Sequence, residues 1–218
     1  DYTETIQQTM VPEILQNVIQ AVNERDRGAC QQIMLPGLAR QFGLGMDELR
    51  SDGSTLHIEA RNVRDVVVES PIWWIGPSAA YDTRVARATR GSRYLYWTNG
   101  AIVNALDKEV LRKGTRKRED IMMEVMSCPA TLQLNFCMTA DIEVSRTKRG
   151  KVVDCDRGTM AVPLSLSTPT YPSHRSLPVA VDGNRIIYTS RGTPPLVWRV
   201  SDVFRLVMNK ELGWNLYK

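Results

Sequence analysis

The chain has 218 residues, of which 43% are hydrophobic and 24% charged, and its formal net charge is +4. This composition is ordinary for a soluble globular protein of one large or two small domains, and four cysteines in this length exclude a disulfide scaffold. No apolar run approaches the ~18–20 residues that cross a bilayer, and DYTETIQQTM lacks the regions of a secretory signal. Because the chain starts at Asp1 and not at Met, we expect an excised, processed or trimmed chain.

The cysteines are Cys30, Cys128, Cys137 and Cys155, and no two of them have C-x-x-C spacing. Neither a local zinc site nor a dithiol redox site is therefore expected. Cys128 and Cys137 stand among apolar residues, which favours buried free thiols. We expect a reducing intracellular compartment, either the cytoplasm or the nucleus, and association with a virion is compatible with this.

The N-terminal part is predicted to be helical. Pro12 falls inside its apolar pattern, which predicts a lead-in that ends near Met10 and a new helix from Pro12. Gly28 is the predicted stop. The apolar residues that recur every four positions are Ile6, Met10, Ile14, Val18 and Val22.

Residues 29–50 predict a second helical stretch, broken at Pro36-Gly37, and a short third helix from Met46 to Arg50. SDGS at 51–54 predicts a turn, and the period of the apolar pattern changes after it. From residue 56, LHIEARNVRDVVVES is typical of a strand because it contains a β-branched run.

The middle of the chain predicts three short elements. Residues 79–90 predict a helix, and RYLYW at 93–97 predicts a strand. Residues 99–113 predict another helix with Asn99 as its N-cap, because their apolar residues fall on one face.

The following part predicts mainly strands. TLQLNFCM at 131–138 and DIEVSR at 141–146 alternate, and TKRG at 147–150 predicts a hairpin turn into KVVDCD. VAVDGNRIIYTSR at 179–191 predicts a second hairpin that turns at Asp182-Gly183.

STPTYPSHRSLP at 167–178 predicts an exposed loop, and VSDVFRLVMNKELGW at 200–214 predicts a C-terminal helix. Together these elements predict an α+β fold in which a helical part packs on a mainly antiparallel, β-rich part. The predicted boundary divides a helical N-terminal subdomain, 1–54, from a mixed main domain, 55–218, within one compact unit.

Charge is distributed unevenly along the chain. Residues 1–70 hold six Lys and Arg against eleven Asp and Glu, whereas residues 84–118 hold ten against two. Like charges at that density repel each other unless something compensates them. The basic middle segment, residues 84–118, therefore predicts an anionic partner. The acidic N-terminal stretch, residues 1–70, predicts either a solvated surface or contact with a basic partner.

Arginine recurs at every third position at the start of the basic middle segment, and aromatic residues follow directly. In a helix this spacing keeps successive arginines close together along one side, whereas in an extended chain their side chains would point in different directions. Guanidinium groups match phosphate geometry, and aromatic faces stack on unpaired bases. We predict a nucleic-acid site, with RNA favoured, formed by Arg84, Arg87, Arg90, Arg93, Tyr94, Trp97, Arg112, Lys113, Arg116, Lys117, Arg118, Arg146, Lys148 and Arg149.

Other interpretations of the same residues stay open. The arginines could pair internally with the acidic residues of 1–70, and the aromatic residues could belong to the core. The partner could also be another anion, such as a lipid headgroup.

The usual catalytic signatures are missing. The two histidines, His57 and His174, have no neighbours in sequence that complete a site, and no G-x-S-x-G, H-E-x-x-H or P-loop motif occurs. Phe42-Gly-Leu-Gly45 starts like a dinucleotide loop, but Glu48 replaces the third glycine and no strand precedes it. We expect no enzyme activity, no cofactor and no bound metal.

Strand carboxylates offer the remaining catalytic alternative. Asp141 with Glu143, or Asp154 with Asp156, would share one face of a strand, and such pairs bind Mg²⁺ with a phosphate substrate in nucleases. The main hypothesis is a non-enzymatic nucleic-acid-binding or nucleoprotein-like structural protein, of a kind found in viruses, that assembles into oligomers or a larger particle. A metal-dependent nuclease and a protein–protein assembly module are the alternatives.

Overall fold

The protein has an α+β fold in which N-terminal helices pack on a mainly antiparallel sheet. This agrees with the fold class predicted from the sequence. The computed structural model describes residues 2–69, 71–75, 94–98, 101–105, 129–173, 176, 178–182, 185–188 and 197–204.

The N-terminal helices follow one another closely. Pro12 lies in the first turn of its helix, as predicted, but the chain stays helical before it through one π-helical turn. The helical segments are α1 (Tyr2–Thr5), the π-helical turn (Ile6–Met10), α2 (Val11–Asn23), α3 (Arg27–Ile33) and α4 (Pro36–Ser51).

Two predicted helix boundaries are wrong. Gly28 does not stop a helix, because α2 ends earlier, where Arg25 takes a positive φ of 56°, and Gly28 lies inside α3. The Asp26 side chain caps α3 by accepting a hydrogen bond from the Ala29 N–H at 2.9 Å. The separate helix predicted from Met46 is the second half of α4, which runs on through its glycines.

The strands form one large sheet and one small hairpin. The large sheet has the order β4-β3-β2-β5-β6-β9, with β1 also paired to β5, and β7 pairs with β8 in a second sheet that has two strands among the described residues. The strands are β1 (Ser54–Val68), β2 (Ile72–Ile75), β3 (Tyr94–Thr98), β4 (Ala101–Ala105), β5 (Ala130–Lys148), β6 (Lys151–Ser167), β7 (Val179–Asp182), β8 (Arg185–Tyr188) and β9 (Arg199–Val203).

The helix predicted at 99–113 is wrong over Ala101–Ala105, which is strand β4 and pairs antiparallel with β3. The predicted strand at 93–97 is confirmed as β3. Asn99-Gly100 stands between the two strands in the sequence, and this dipeptide is more typical of a two-residue hairpin loop than of a helix cap.

The C-terminal helix predicted at 200–214 is also wrong at its start. Arg199–Val203 is strand β9, which pairs with the end of β6. A β-bulge at Ser201 lets both Val200 and Val203 be buried, and this spacing of three resembles one face of a helix. The rest of this predicted helix, the remainder of 99–113 and the helix predicted at 79–90 lie outside the described residues.

Strand β5 forms the centre of the large sheet. One of its edges pairs with β6 along almost the whole strand, and the other pairs first with β2 and then with β1. Alternate side chains of β5 are fully buried and join the apolar faces of the helices in one core. These residues are Leu132, Leu134, Phe136, Met138, Ala140 and Ile142.

Amide side chains of the N-terminal helices cover the second edge of β1. Gln16 donates a hydrogen bond to the Ala60 carbonyl at 2.9 Å. Asn23 donates to the Ile58 carbonyl at 2.7 Å and accepts from the Ile58 N–H at 2.8 Å, as a neighbouring strand would. The helices thus satisfy backbone groups that an edge strand would otherwise expose.

Both predicted hairpins are confirmed. Strand β5 turns into β6 at Arg149-Gly150, whose φ angles of 51° and 75° are those of a two-residue type I′ turn. The second hairpin joins β7 to β8, as predicted from Asp182-Gly183. In the part of the chain that the structure describes, no helix is long and apolar enough to cross a membrane.

Candidate nucleic-acid interface

The structure describes only part of the predicted nucleic-acid site. Tyr94 and Trp97 lie in β3, where Trp97 pairs in register with Trp73 of β2. The hairpin residues Arg146, Lys148 and Arg149 are described in full. Outside the described residues lie Arg84, Arg87, Arg90, Arg93, Arg112, Lys113, Arg116, Lys117 and Arg118.

The tip of the β5–β6 hairpin concentrates positive charge. Lys148 and Lys151 lie directly opposite each other, and Arg149 stands in the turn between them. Arg149 and Lys151 are exposed, and in the described part of the chain neither side chain forms a hydrogen bond or an ion pair. Like charges that face each other across a strand pair destabilise it, and no described residue compensates Arg149 or Lys151.

Part of the hairpin charge is compensated internally, as one of the open interpretations proposed. Arg146 forms an ion pair with Asp52 and donates to the Ser54 hydroxyl at 3.2 Å. Lys148 Nζ lies 3.6 Å from the same Asp52 carboxylate. The Ser54 hydroxyl, Arg146 and Lys148 together hold the pKa of Asp52 below its ordinary value. Arg146 therefore anchors the base of the tip to the end of α4.

The carboxylates of Asp141 and Glu143 lie in a dense charged cluster on the sheet face opposite the helices. Asp141 accepts hydrogen bonds from Thr159 at 2.6 Å and from Asn62 at 2.7 Å, and Arg64 Nη1 lies 3.7 Å away. These contacts hold the pKa of Asp141 below its ordinary value. Glu143 stands in register between Glu59 and Arg157.

Asp154 and Asp156 lie on the exposed first half of β6, and Asp154 faces Arg146 across the hairpin. Within the described ranges, no group of three or more His, Cys, Asp or Glu side chains could hold a metal ion. Because Asp141 is already bound by neutral donors and a guanidinium, the arrangement gives the nuclease alternative no support.

Sequence reasoning missed the arginines of β1. Asn62 and Asp65 take positive φ angles of 51° and 52°, and a β-bulge follows each of Arg61 and Arg64. Each bulge resets the alternation of side chains. Two arginines three residues apart therefore both reach the charged cluster around Asp141. The repeat Arg-Asn-Val, Arg-Asp-Val at residues 61–66 was the signal for these bulges in the sequence, because asparagine and aspartate tolerate the left-handed region of backbone conformation.

The charged cluster on this outer face is close to neutral, because its arginines are matched by acids. Arg61 donates two hydrogen bonds of 2.6 Å to Glu59, and their contact raises the pKa of Arg61 and lowers that of Glu59. At the hairpin tip, by contrast, Arg149 and Lys151 have no partner among the described residues. Comparison of the chain with protein-family models, with curated protein sequences and with solved structures gave no match.

Proposed function

We propose that the protein is a non-enzymatic nucleic-acid-binding protein with a structural role, that it favours RNA, and that it assembles with further copies into a larger particle. The observation that carries the proposal is the cross-strand pair of Lys148 and Lys151 with Arg149 between them. Arg149 and Lys151 have no partner in the described part of the chain, so they are available to bind phosphates and to release counterions from the nucleic acid. The tip would act together with the basic middle segment, whose charge excess is larger.

The hairpin geometry suits contact with a phosphate backbone. Residues 151–161 of β6 are exposed without interruption, and β1 pairs with the other edge of β5 as far as Lys148. The tip therefore stands at the margin of the sheet, where Arg149 and Lys151 are exposed to solvent. The type I′ turn at Arg149-Gly150 fixes the backbone between Lys148 and Lys151, so the three cations keep a defined spacing.

The proposal places the protein in a reducing compartment of the cell. The three described cysteines, Cys30, Cys137 and Cys155, are free thiols, and Cys155 is exposed. Burial raises the pKa of the Cys30 thiol, with a smaller contribution from Asp26, which keeps it protonated. Cys137 is half-buried, and Cys128, also predicted to be a buried thiol, lies outside the described residues. Mass spectrometry of alkylated protein from intact cells would measure the thiol state.

Fluorescence anisotropy of a labelled single-stranded RNA tests the proposal. The double variant R149N/K151Q removes two positive charges. Asparagine is chosen at position 149 because it tolerates the positive φ that the turn requires there. We expect weaker binding and a shallower dependence of log affinity on log salt, by about 1 for each phosphate that the variant no longer neutralises. The control is R40Q, which removes an exposed arginine from the first half of α4, away from the end that Asp52 joins to the tip. Equal affinity of the tip variant and the control would remove the tip from the interface.

Charge reversal in the basic middle segment tests the other part of the proposed interface. R87E and R90E should each weaken RNA binding more than R40Q does, because they replace a cation by an anion where charge is densest. Unchanged affinity would remove these arginines from the site. Light scattering with and without RNA measures assembly, and a protein that stays monomeric at all concentrations in both states would contradict the structural role.

A further inference from the structure

An apolar groove of about 680 Å³ lies between α4, the end of α2 and strand β1. This volume is within the range of about 300–1,000 Å³ that small-molecule sites occupy. Gly45 of α4 forms part of its wall, and a Cβ placed there would meet no atom within 4 Å. The apolar side chains that line it are Val22, Phe42, Met46, Leu49, Leu56 and Ile58.

Two guanidinium groups converge at one end of this groove. Arg25 Nη2 donates to the Ser54 carbonyl at 2.6 Å, and Arg146 Nε donates to the Ser54 hydroxyl at 3.2 Å. Asp52 lies beside them, but Arg146 and Lys148 already share its carboxylate. The charged residues that line the groove are thus two cations, Arg25 and Arg146, and two acids, Asp52 and Glu48. Glu48 is exposed on α4, and Arg25 has no acidic partner among the described residues.

We propose that this groove binds a single-chain anionic amphiphile, a molecule with one apolar chain that ends in a carboxylate. The chain would lie against α4 and β1, where it removes exposed apolar surface from water. The carboxylate would lie at Arg25, which has five N–H donors and uses one of them on Ser54 within the described residues. Charge-assisted hydrogen bonds from a guanidinium are the strong contacts that select an anion over an alcohol. This inference does not depend on the proposed function, because no residue of the groove except Arg146 belongs to the proposed interface.

Calorimetric titration with dodecanoate below its micelle concentration tests the proposal, with dodecanol and acetate as comparisons. We expect dodecanoate to bind, dodecanol to bind at least about tenfold more weakly, and acetate not to bind. Absence of dodecanoate binding would overturn the proposal. Equal binding of dodecanol and dodecanoate would overturn the anionic part of it.

Two of the three open glycines of α4, Gly43 and Gly45, supply a matched pair of variants. G45L would fill the groove and abolish dodecanoate binding, whereas G43L, which also meets open space but does not line this groove, would leave it unchanged. Both should melt at or above the wild-type temperature, since leucine is a better helix former than glycine. R25N, which suits the positive φ at that position, should weaken dodecanoate binding several-fold and leave dodecanol unaffected.

Methyl NMR of the wild-type protein gives a readout that needs no variant. The Met46 methyl lines the groove and should shift on titration with dodecanoate, whereas the buried Met138 methyl of β5 should not. If G45L bound dodecanoate as the wild type does, or if Met46 did not shift, the groove would not be the site. The calorimetric and NMR tests contain no RNA, so a failure here is distinct from a failure of the proposed function, which RNA binding tests.

Discussion

Lys148 and Lys151 lie directly opposite each other at the two-residue turn that closes the β5–β6 hairpin. Two like charges at this position weaken the strand pair, by about 0.2–1 kcal/mol in comparable pairs. The chain places Arg149 between them rather than an acid. Asp52 lies near Lys148 but forms no ion pair with Lys151. The two lysines therefore keep an excess of positive charge, and an anionic partner would reduce the repulsion between them.

The variant K151Q should therefore separate stability from binding. Removing the repulsion should raise the free energy of unfolding by about 0.2–1 kcal/mol. RNA affinity should fall, because glutamine cannot neutralise a phosphate. Urea denaturation and RNA anisotropy measure the two effects. R40Q on α4 is the control and should change neither quantity, and a lower stability of K151Q would show that Lys151 has a structural partner instead.

The amide of Asn23 acts as a substitute strand for Ile58, with hydrogen bonds of 2.7 and 2.8 Å. N23A should lower the free energy of unfolding by about 1–3 kcal/mol, because it leaves two half-buried backbone groups without partners. Thermal denaturation checks this. N17A on the exposed side of α2 is the matched control and should have little effect. If both variants melted alike, the covered edge of β1 would contribute nothing to stability.

The α+β fold could be predicted because its main elements have unambiguous patterns. Strict alternation identified β5, and TKRG and Asp182-Gly183 marked the two hairpins by their turn chemistry, although Asp182 itself ends β7 opposite Arg185. The apolar repeat of α2 was equally clear. These signals are local, so no tertiary information was needed to read them.

Two of the misread features, the start of β9 and the arginines of β1, have spacings of three, which helices and bulged strands share. Val200 and Val203 both point into the core because Ser201 forms a bulge, and Arg61 and Arg64 share the outer face for the same reason. A bulge also depends on pairing with a distant strand, so the local sequence does not fix it: Asn62 and Asp65 favour the left-handed region in β1, but Ser201 gives no such signal in β9. Internal neutralisation of Arg146 was likewise hidden, since Asp52 is 94 residues away in the chain.

Acidic pH should weaken the fold through two carboxylates. Contacts with donors and cations hold the pKa values of Asp52 and Asp141 below their ordinary value of 3.8. Because each pKa is lower in the folded state than in the unfolded chain, the stabilisation is complete above about pH 4 and is lost as the pH falls through the folded pKa. D52N/D141N should therefore unfold more easily at pH 7 and show a smaller further loss below pH 4. Urea titrations across this range measure both, with E13Q, at an exposed site of α2, as the control.

The acidic residues of β6 should protect its open edge from pairing with a second copy. β9 covers only the end of β6, so residues 151–160 have no partner on that side among the described strands. If the open edges of two copies of β6 paired antiparallel about a two-fold axis at any residue from Asp154 to Arg157, two carboxylates or two arginines would lie opposite each other. D154N/D156N should therefore self-associate, as sedimentation velocity would detect. E4Q/E13Q removes equal charge from exposed sites of the N-terminal helices and should not self-associate, and a monomeric D154N/D156N would contradict the protective role.

The salt dependence of RNA binding tests the central claim most directly. Affinity for a labelled single-stranded RNA would be measured from about 50 to 200 mM salt, where counterion release dominates binding to a polyanion. The proposed function predicts that log affinity falls linearly with log salt, with a slope steeper than about −2 because several phosphates are neutralised at once. A slope near zero, or the absence of binding at low salt, would contradict it.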